Sequence, residues 1–192
     1  MDKIGILILA AGFSRRYPGD KRRARIGDAT LLQLTVDRYL QARLPLRLCL
    51  RDNAADRSWA AAFPAPVQLL FCDRSPAGMG ATLAQGIAAC DDWRATLVGL
   101  GDMPAVAAPT LRQLAEHAAE DRIVAPRYRG RRGNPVVFGR RYYPQLARLA
   151  DDRGARDLLQ GAQSRLRIIE VDDPGVLLDV DTPQALARVV DR

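Results

Sequence analysis

Small residues and cations sit side by side near the start of the chain: Ala10, Ala11 and Gly12, then Ser14, Arg15, Arg16, Gly19 and Lys21. Small side chains let a backbone approach a ligand closely, and glycine admits positive φ, so successive N–H groups can converge on an anion. Arginine adds a planar fork for phosphate oxygens and lysine a point charge. Together they suit a cradle for a nucleoside triphosphate; the competing reading is a βα turn with solvated arginines. Farther on, Asp102 closes an apolar run in Leu97-Val98-Gly99-Leu100-Gly101-Asp102-Met103-Pro104. A carboxylate there faces a ligand crevice, and Mg²⁺ takes one or two carboxylates and fills its octahedron with water and substrate phosphates. Asp102 can also cap the segment after Pro104. Asp179-Val180-Asp181-Thr182-Pro183 brings a second carboxylate, and its spacing leaves Asp181 as either helix cap or metal ligand.

These residues need a scaffold. Residues 4–9 are continuously apolar, Ile-Gly-Ile-Leu-Ile-Leu, the pattern of a strand buried on both faces of a parallel sheet. Further strands are predicted at 44–50, 67–71, 96–100, 123–126, 135–138 and 166–171. Helices are predicted at 30–43 (capped by Asp28 or Thr30), 56–63, 81–90, 109–120, 140–149, 155–160 and from 183 to 190. Residues 128–134 read as a basic, glycine-bearing loop. Strands alternating with helices at this spacing predict an α/β fold, a doubly wound and mostly parallel sheet in one domain over residues 1–192. The open carboxyl ends of such strands are where ligands bind.

A chain of 192 residues can bury a full core, and 27% charged residues are ordinary for a globular protein. The net charge of +7 suits an anionic partner, whether nucleic acid, acidic protein or polyphosphate, and says nothing of fold. Cys49, Cys72 and Cys90 have no metal-ligand spacing and leave an odd count, which predicts a reducing, cytoplasmic setting. No apolar run is long enough to span a membrane, and the first residues are too acidic and the run too short for a signal peptide.

Leu9, Ala10, Ala11, Gly12, Ser14, Arg16 and Lys21 fall in register with the signature of the nucleotidyltransferase superfamily, which this stretch resembles. Tyr17 stands where Met is common, and Pro18 where Gly is common. Gly78-Met79-Gly80, Gly101-Asp102-Met103-Pro104, the run from Arg131 to Phe138 through Gly133-Asn134-Pro135, Asp152-Arg153-Gly154-Ala155-Arg156-Asp157 and Asp179 to Pro183 then follow in order. That order resembles the molybdenum cofactor cytidylyltransferases from end to end. The resemblance implies a Rossmann-like three-layer sandwich of the nucleotide-diphospho-sugar transferase kind. It implies Mg²⁺ held by Asp102 and Asp181, and a triphosphate held by Gly12, Arg16 and Lys21 beside Leu9, Ala10 and Ala11. Thr82, after Gly78 and Gly80, stands where the family contacts the base. Asn134, at a place often His, and Arg153 and Arg156 would face the acceptor. The implied partners are CTP, molybdopterin or molybdenum cofactor, and a molybdoenzyme maturation chaperone of the xanthine dehydrogenase type.

The implied reaction transfers CMP from CTP to a phosphate monoester and expels pyrophosphate. Such a nucleophile is already largely anionic at neutral pH, its second pKa being about 6. No general base is required, and the chain's one histidine, His117, reads as a surface residue. Arg16, Lys21 and Asp102 would then carry catalysis by positioning and charge neutralisation. In the related guanylyltransferases a glycine is usual at the Ala11 position. The Ala11 methyl is expected to favour a pyrimidine, a discrimination of about 1–3 kcal/mol; GTP, or another small acceptor, is the alternative.

Two other classes fit less well. A dinucleotide oxidoreductase needs G-x-G-x-x-G, and a Walker loop needs G-K-S/T; Gly12 to Lys21 supplies neither. A nucleic-acid module is suggested by Lys21-Arg22-Arg23-Ala24-Arg25 and by residues 127–132 with Tyr128. Both clusters adjoin the proposed triphosphate loops, where positive potential would steer small polyanions.

Overall fold

The computed structural model describes residues 3–13, 17–150, 154–182 and 184–186. Strand β1 (Ile4–Leu9) sits in the interior of the main sheet. Pleating sends successive side chains to opposite faces, and here Ile6 and Ile8 enter one core cluster while Leu7 and Leu9 enter the other. This is why the run is apolar without alternation. Full burial of each such side chain contributes roughly 1.5–3 kcal/mol. Gly5 is required by a close approach, since a Cβ there would lie 2.4 Å from the Trp93 ring.

The 3₁₀ turn Lys21–Arg23 leads into a two-strand antiparallel hairpin, β2 (Arg25–Ile26) with β3 (Ala29–Thr30). Helix α1 (Leu31–Leu40) starts from a capping box: Thr30 Oγ1 accepts from the Gln33 N–H at 3.3 Å, and Gln33 Oε1 accepts from the Thr30 N–H at 2.9 Å. Thr30, rather than Asp28, is therefore the cap. Then come β4 (Leu46–Arg51), α2 (Ala54–Trp59), β5 (Val67–Cys72), α3 (Met79–Ala88), β6 (Ala95–Leu100) and α4 (Ala108–Glu116). The chain continues through β7 (Ile123–Tyr128), β8 (Arg131–Arg132), β9 (Val136–Gly139), α5 (Tyr143–Leu146), α6 (Arg156–Gly161) and β10 (Leu166–Glu170).

The main sheet has the order β10-β7-β9-β6-β1-β4-β5, with β8 paired to β7. Pairing is parallel between β1 and both β4 and β6, between β4 and β5, and between β7 and β10. Only β9, between β6 and β7, and the short β8 run the other way. Leu32 and Val36 of α1 with Leu111 and Leu114 of α4 cover one face. Leu83 and Ile87 of α3, Leu146 of α5 and Leu159 of α6 cover the other. The fold is the predicted three-layer, mostly parallel, Rossmann-like sandwich. Among the described residues no helix is long and apolar enough to cross a membrane.

Two local expectations are corrected. The 128–134 loop is partly a hairpin: Tyr128 pairs with Arg131 and Arg127 with Arg132. Arg129 and Gly130 make its turn at φ 47° and 78°, the positive values that match the twist of the flanking strands. The helix expected over 140–149 splits into a 3₁₀ turn, Arg140–Tyr142, and the four-residue α5. Pro144 lies in the first turn of α5 and has no N–H to bond back into the preceding residues.

Candidate active site

A cavity of about 520 Å³ opens at the carboxyl ends of β1 and β6. Leu9, Ala10 and Gly12 form one wall, and Leu100, Gly101 and Asp102 the next. Ser75, Gly78, Met79 and Thr82 come from the turn after β5 and the first turn of α3, and Asp179 and Asp181 from the segment after β10. Gly78 precedes α3 at φ 124°, a backbone state open to glycine. No side chain caps α3, so its leading N–H groups add positive potential on the cavity side.

Lys21 joins the acidic residues. Its Nζ donates to Asp102 Oδ2 at 2.5 Å and to Asp181 Oδ1 at 2.7 Å. Burial would disfavour the ammonium, but the two carboxylates outweigh it and push the Lys21 amine above its ordinary value. Burial also raises the Asp102 carboxyl; Lys21 pulls it down, while Asp179 and Asp181 add to the rise. Asp102 Oδ1 is buried with no hydrogen-bond partner among the described residues. The helical turn at 184–186 is capped by Thr182, whose Oγ1 accepts from the Ala185 N–H at 3.2 Å. Asp181 is thus released from the capping role that spacing left open.

The acidic segment is held from behind. Asp173 Oδ2 accepts from the Ala107 N–H at 2.9 Å and from Thr110 Oγ1 at 2.7 Å, and Oδ1 accepts from the Gly175 N–H at 2.9 Å. The Asn134 N–H donates to the Val176 carbonyl at 2.9 Å. Nothing in the sequence marks Asp173, which reads as one more surface acid.

The donor set fits Mg²⁺. Asp102 and Asp181 are hard oxygen donors in one cavity, and Asp102 keeps a buried oxygen with no partner among the described residues. Mg²⁺ takes one or two carboxylates and fills its remaining positions with water and phosphate oxygens.

Of the residues singled out in the sequence, Leu9, Ala10, Gly12, Lys21, Gly78, Thr82, Asp102, Asp181 and Arg156 line the cavity. Arg16 and Arg153 lie outside the described residues. Ala11 is fully buried in the core cluster with Leu7 and Leu9, and Gly80 and Asn134 are also absent from the lining. Gly12 keeps a negative or extended φ, and among the described residues a Cβ built on it would meet no heavy atom within 4 Å. It leaves space instead of making a turn. Phe13, Met79 and Asp179 line the cavity without having been singled out; Asp179, two residues before Asp181, was the most accessible to inspection. Arg22, from the 21–25 cluster, also lines the cavity. It is buried against Asp20 and Asp56, with Nη1 at 2.6 Å from Asp56 Oδ2 and Nη2 at 2.5 Å from Asp20 Oδ2.

Residues 6–168 match the MobA-like NTP transferase domain. The chain belongs to this family. It is a nucleotidyltransferase of the MobA-like type; the loop after β1 and the Gly101–Pro104 segment fall inside the matched region, and Asp179 and Asp181 lie beyond it. The purine catabolism protein PucB of Bacillus subtilis is 29% identical over 191 residues, covering 94% of this chain and 92% of PucB. The crystal structure of Rv0371c from Mycobacterium tuberculosis superposes with a TM-score of 0.87 at 29% identity, covering 100% of this chain and 98% of that one. Rv0371c in complex with manganese superposes at 0.81, covering 100% and 99%. A cytidylyltransferase from Leptospira borgpetersenii shares the fold at a TM-score of 0.77 and 16% identity, covering 99% of this chain and 86% of that one.

Proposed function

We propose that this MobA-like domain transfers CMP from CTP to the phosphate monoester of molybdopterin or molybdenum cofactor, with release of pyrophosphate. The observation that carries the reading is the Lys21 amine between Asp102 and Asp181, in a cavity also lined by Gly12 and the N-terminus of α3. Asp102 and Asp181 would hold Mg²⁺, which when bound neutralises phosphate charge and polarises the phosphorus–oxygen bonds. The loop from Ala10 to Phe13 takes the triphosphate, and the leading turn of α3 adds positive potential beside it. Lys21 is the cation that moves from carboxylates to phosphate oxygens as substrate enters. The acceptor's phosphate oxygen attacks the α-phosphorus and the bond to pyrophosphate breaks, so no side chain need remove a proton. His117 ends α4 and is absent from the cavity lining, consistent with that chemistry. Arg156 lines the cavity and is placed for an anionic acceptor.

The acceptor rests on the order of sequence motifs. PucB is by name a purine catabolism protein, and xanthine is a purine, which agrees with service to a molybdoenzyme of the xanthine dehydrogenase type. GTP is the second reading for the donor, favoured by one observation: Ala11 lies in the core, so its methyl does not narrow the cavity.

Pyrophosphate release with Mg²⁺, molybdenum cofactor as acceptor, and CTP or GTP in parallel tests the proposal. Release with CTP alone is expected. Release with GTP alone would replace the donor and keep the mechanism. Release with neither, while CTP binds, would reject the acceptor.

A further inference from the structure

Three consecutive carbonyls of the loop after β1 end on arginines. Arg22 Nη1 donates to the Ala10 carbonyl at 2.7 Å. Arg51, the last residue of β4, donates from Nε to the Ala11 carbonyl at 3.3 Å and from Nη2 to the Gly12 carbonyl. Both arginines are themselves fixed. Asp20 accepts from Arg22 Nε at 2.8 Å and from Arg51 Nη1 at 3.3 Å. Asp56 accepts from Arg22 Nη2 at 2.9 Å and from the Arg51 backbone N–H at 2.9 Å. The Arg51 guanidinium also lies 4.3 Å from the centre of the Phe13 ring, a cation–π contact that fixes the next residue of the loop.

The carbonyl and N–H of a trans peptide unit point in opposite directions. Drawing the Ala10, Ala11 and Gly12 carbonyls onto arginines therefore turns the N–H groups of Ala11, Gly12 and Phe13 away from those arginines. Among the described residues none of these three N–H groups donates to a protein acceptor. Ala11 is fully buried and absent from the cavity lining, so the N–H groups offered to a ligand are those of Gly12 and Phe13. Gly12 and Phe13 line the cavity and Arg51 does not.

We infer that Arg51, working with Arg22, is a positioning residue that presets the N–H groups of Gly12 and Phe13 for the phosphates of the nucleotide. This rests on the proposed triphosphate site and adds to it Arg51, which is absent from the cavity lining. The role requires arginine. One planar fork reaches Ala11, Gly12 and Asp20 at once, whereas a lysine ammonium would supply the charge without that geometry.

Binding of pyrophosphate and of CTP, each with Mg²⁺, measured calorimetrically for the wild type, R51A and R51K, tests the inference, with thermal melting as the check of folding. Loss of charge-assisted hydrogen bonds behind the loop is expected to weaken pyrophosphate at least about tenfold in both variants. R51K carries the test should R51A fail to fold. A folded R51K that binds pyrophosphate as the wild type does would overturn the inference, because field alone would then suffice. Spectra add a direct readout: the Gly12 amide resonance shifts on pyrophosphate addition in the wild type and does not in R51K. A shift of equal size in R51K would also overturn the inference. A wild-type chain that binds neither pyrophosphate nor CTP would reject the triphosphate site itself, an outcome separable from equal binding by wild type and variant.

Discussion

The Val180 N–H donates to the Asp102 carbonyl at 2.9 Å. One backbone hydrogen bond thus ties the end of β6 to the segment that carries Asp179 and Asp181. The spacing of the carboxylates is set by backbone, and side-chain replacement at either end should leave it in place.

Asp102→Asn tests this. The amide keeps the shape and removes a charge that burial disfavours. Nucleotidyl transfer is expected to fall about 10²-fold or more, as when one electrostatic stabiliser of a transition state is removed. The thermal midpoint without metal should stay near the wild-type value. Pyrophosphate release and a melt on the same preparation give both numbers. An unfolded variant would show that Asp102 is structural.

Lys21→Ala removes the cation that Asp102 and Asp181 share. Without divalent cation, the variant should lose about 1.5–3 kcal/mol of stability, the range for hydrogen bonds to charged groups. Added Mg²⁺ should restore more stability to the variant than to the wild type, because it meets carboxylates that no longer have Lys21. Denaturant melts with and without Mg²⁺ measure the difference. Equal gains would separate the metal from this carboxylate pair.

Much of this arrangement was legible beforehand. The unbroken run of β1 revealed a strand covered on both faces, and Asp102 revealed itself by closing a similar run. Other features depend on contacts across the chain. Asp181 and Thr182 are adjacent and equally good caps, and their roles separate only in the folded chain: Thr182 caps the turn at 184–186, and Lys21, 160 residues away, meets Asp181. Arg22 stands in a run of cations that reads as an anion-steering surface, and its burial against Asp56 depends on a residue 34 positions away. The Ala11 methyl, expected from the sequence to face the base, packs instead in the core cluster with Leu7 and Leu9. The insertion of β9 against the direction of its neighbours has no signature in periodicity, since strand order is a property of the whole sheet.

Asp20 gives a pH dependence. Burial would raise its carboxyl, but hydrogen bonds and charge from Arg22, with Arg51, hold it below the ordinary 3.8. A carboxyl depressed on folding contributes stability above its unfolded value, and that contribution is lost as pH falls through the depressed folded value. Asp20→Asn should therefore melt lower than the wild type above about pH 4. The gap should close as the pH is lowered further. A gap independent of pH between 2 and 6 would show that the carboxylate charge contributes nothing there.

Gly12→Val separates folding from binding. Among the described residues a Cβ at Gly12 meets no heavy atom within 4 Å, and the residue does not use a positive φ. The substitution therefore brings neither clash nor left-handed strain to the free protein, and the thermal midpoint should change little. The branched side chain would instead project into the cavity beside Leu9 and Ala10, where the triphosphate is proposed to lie. Binding of CTP should weaken at least about tenfold, the cost of displacing a ligand from hydrogen bonds to backbone N–H groups. Calorimetric titration of a folded variant measures this directly. Full retention of CTP affinity would place the phosphates elsewhere in the cavity, against the α3 terminus and away from the loop.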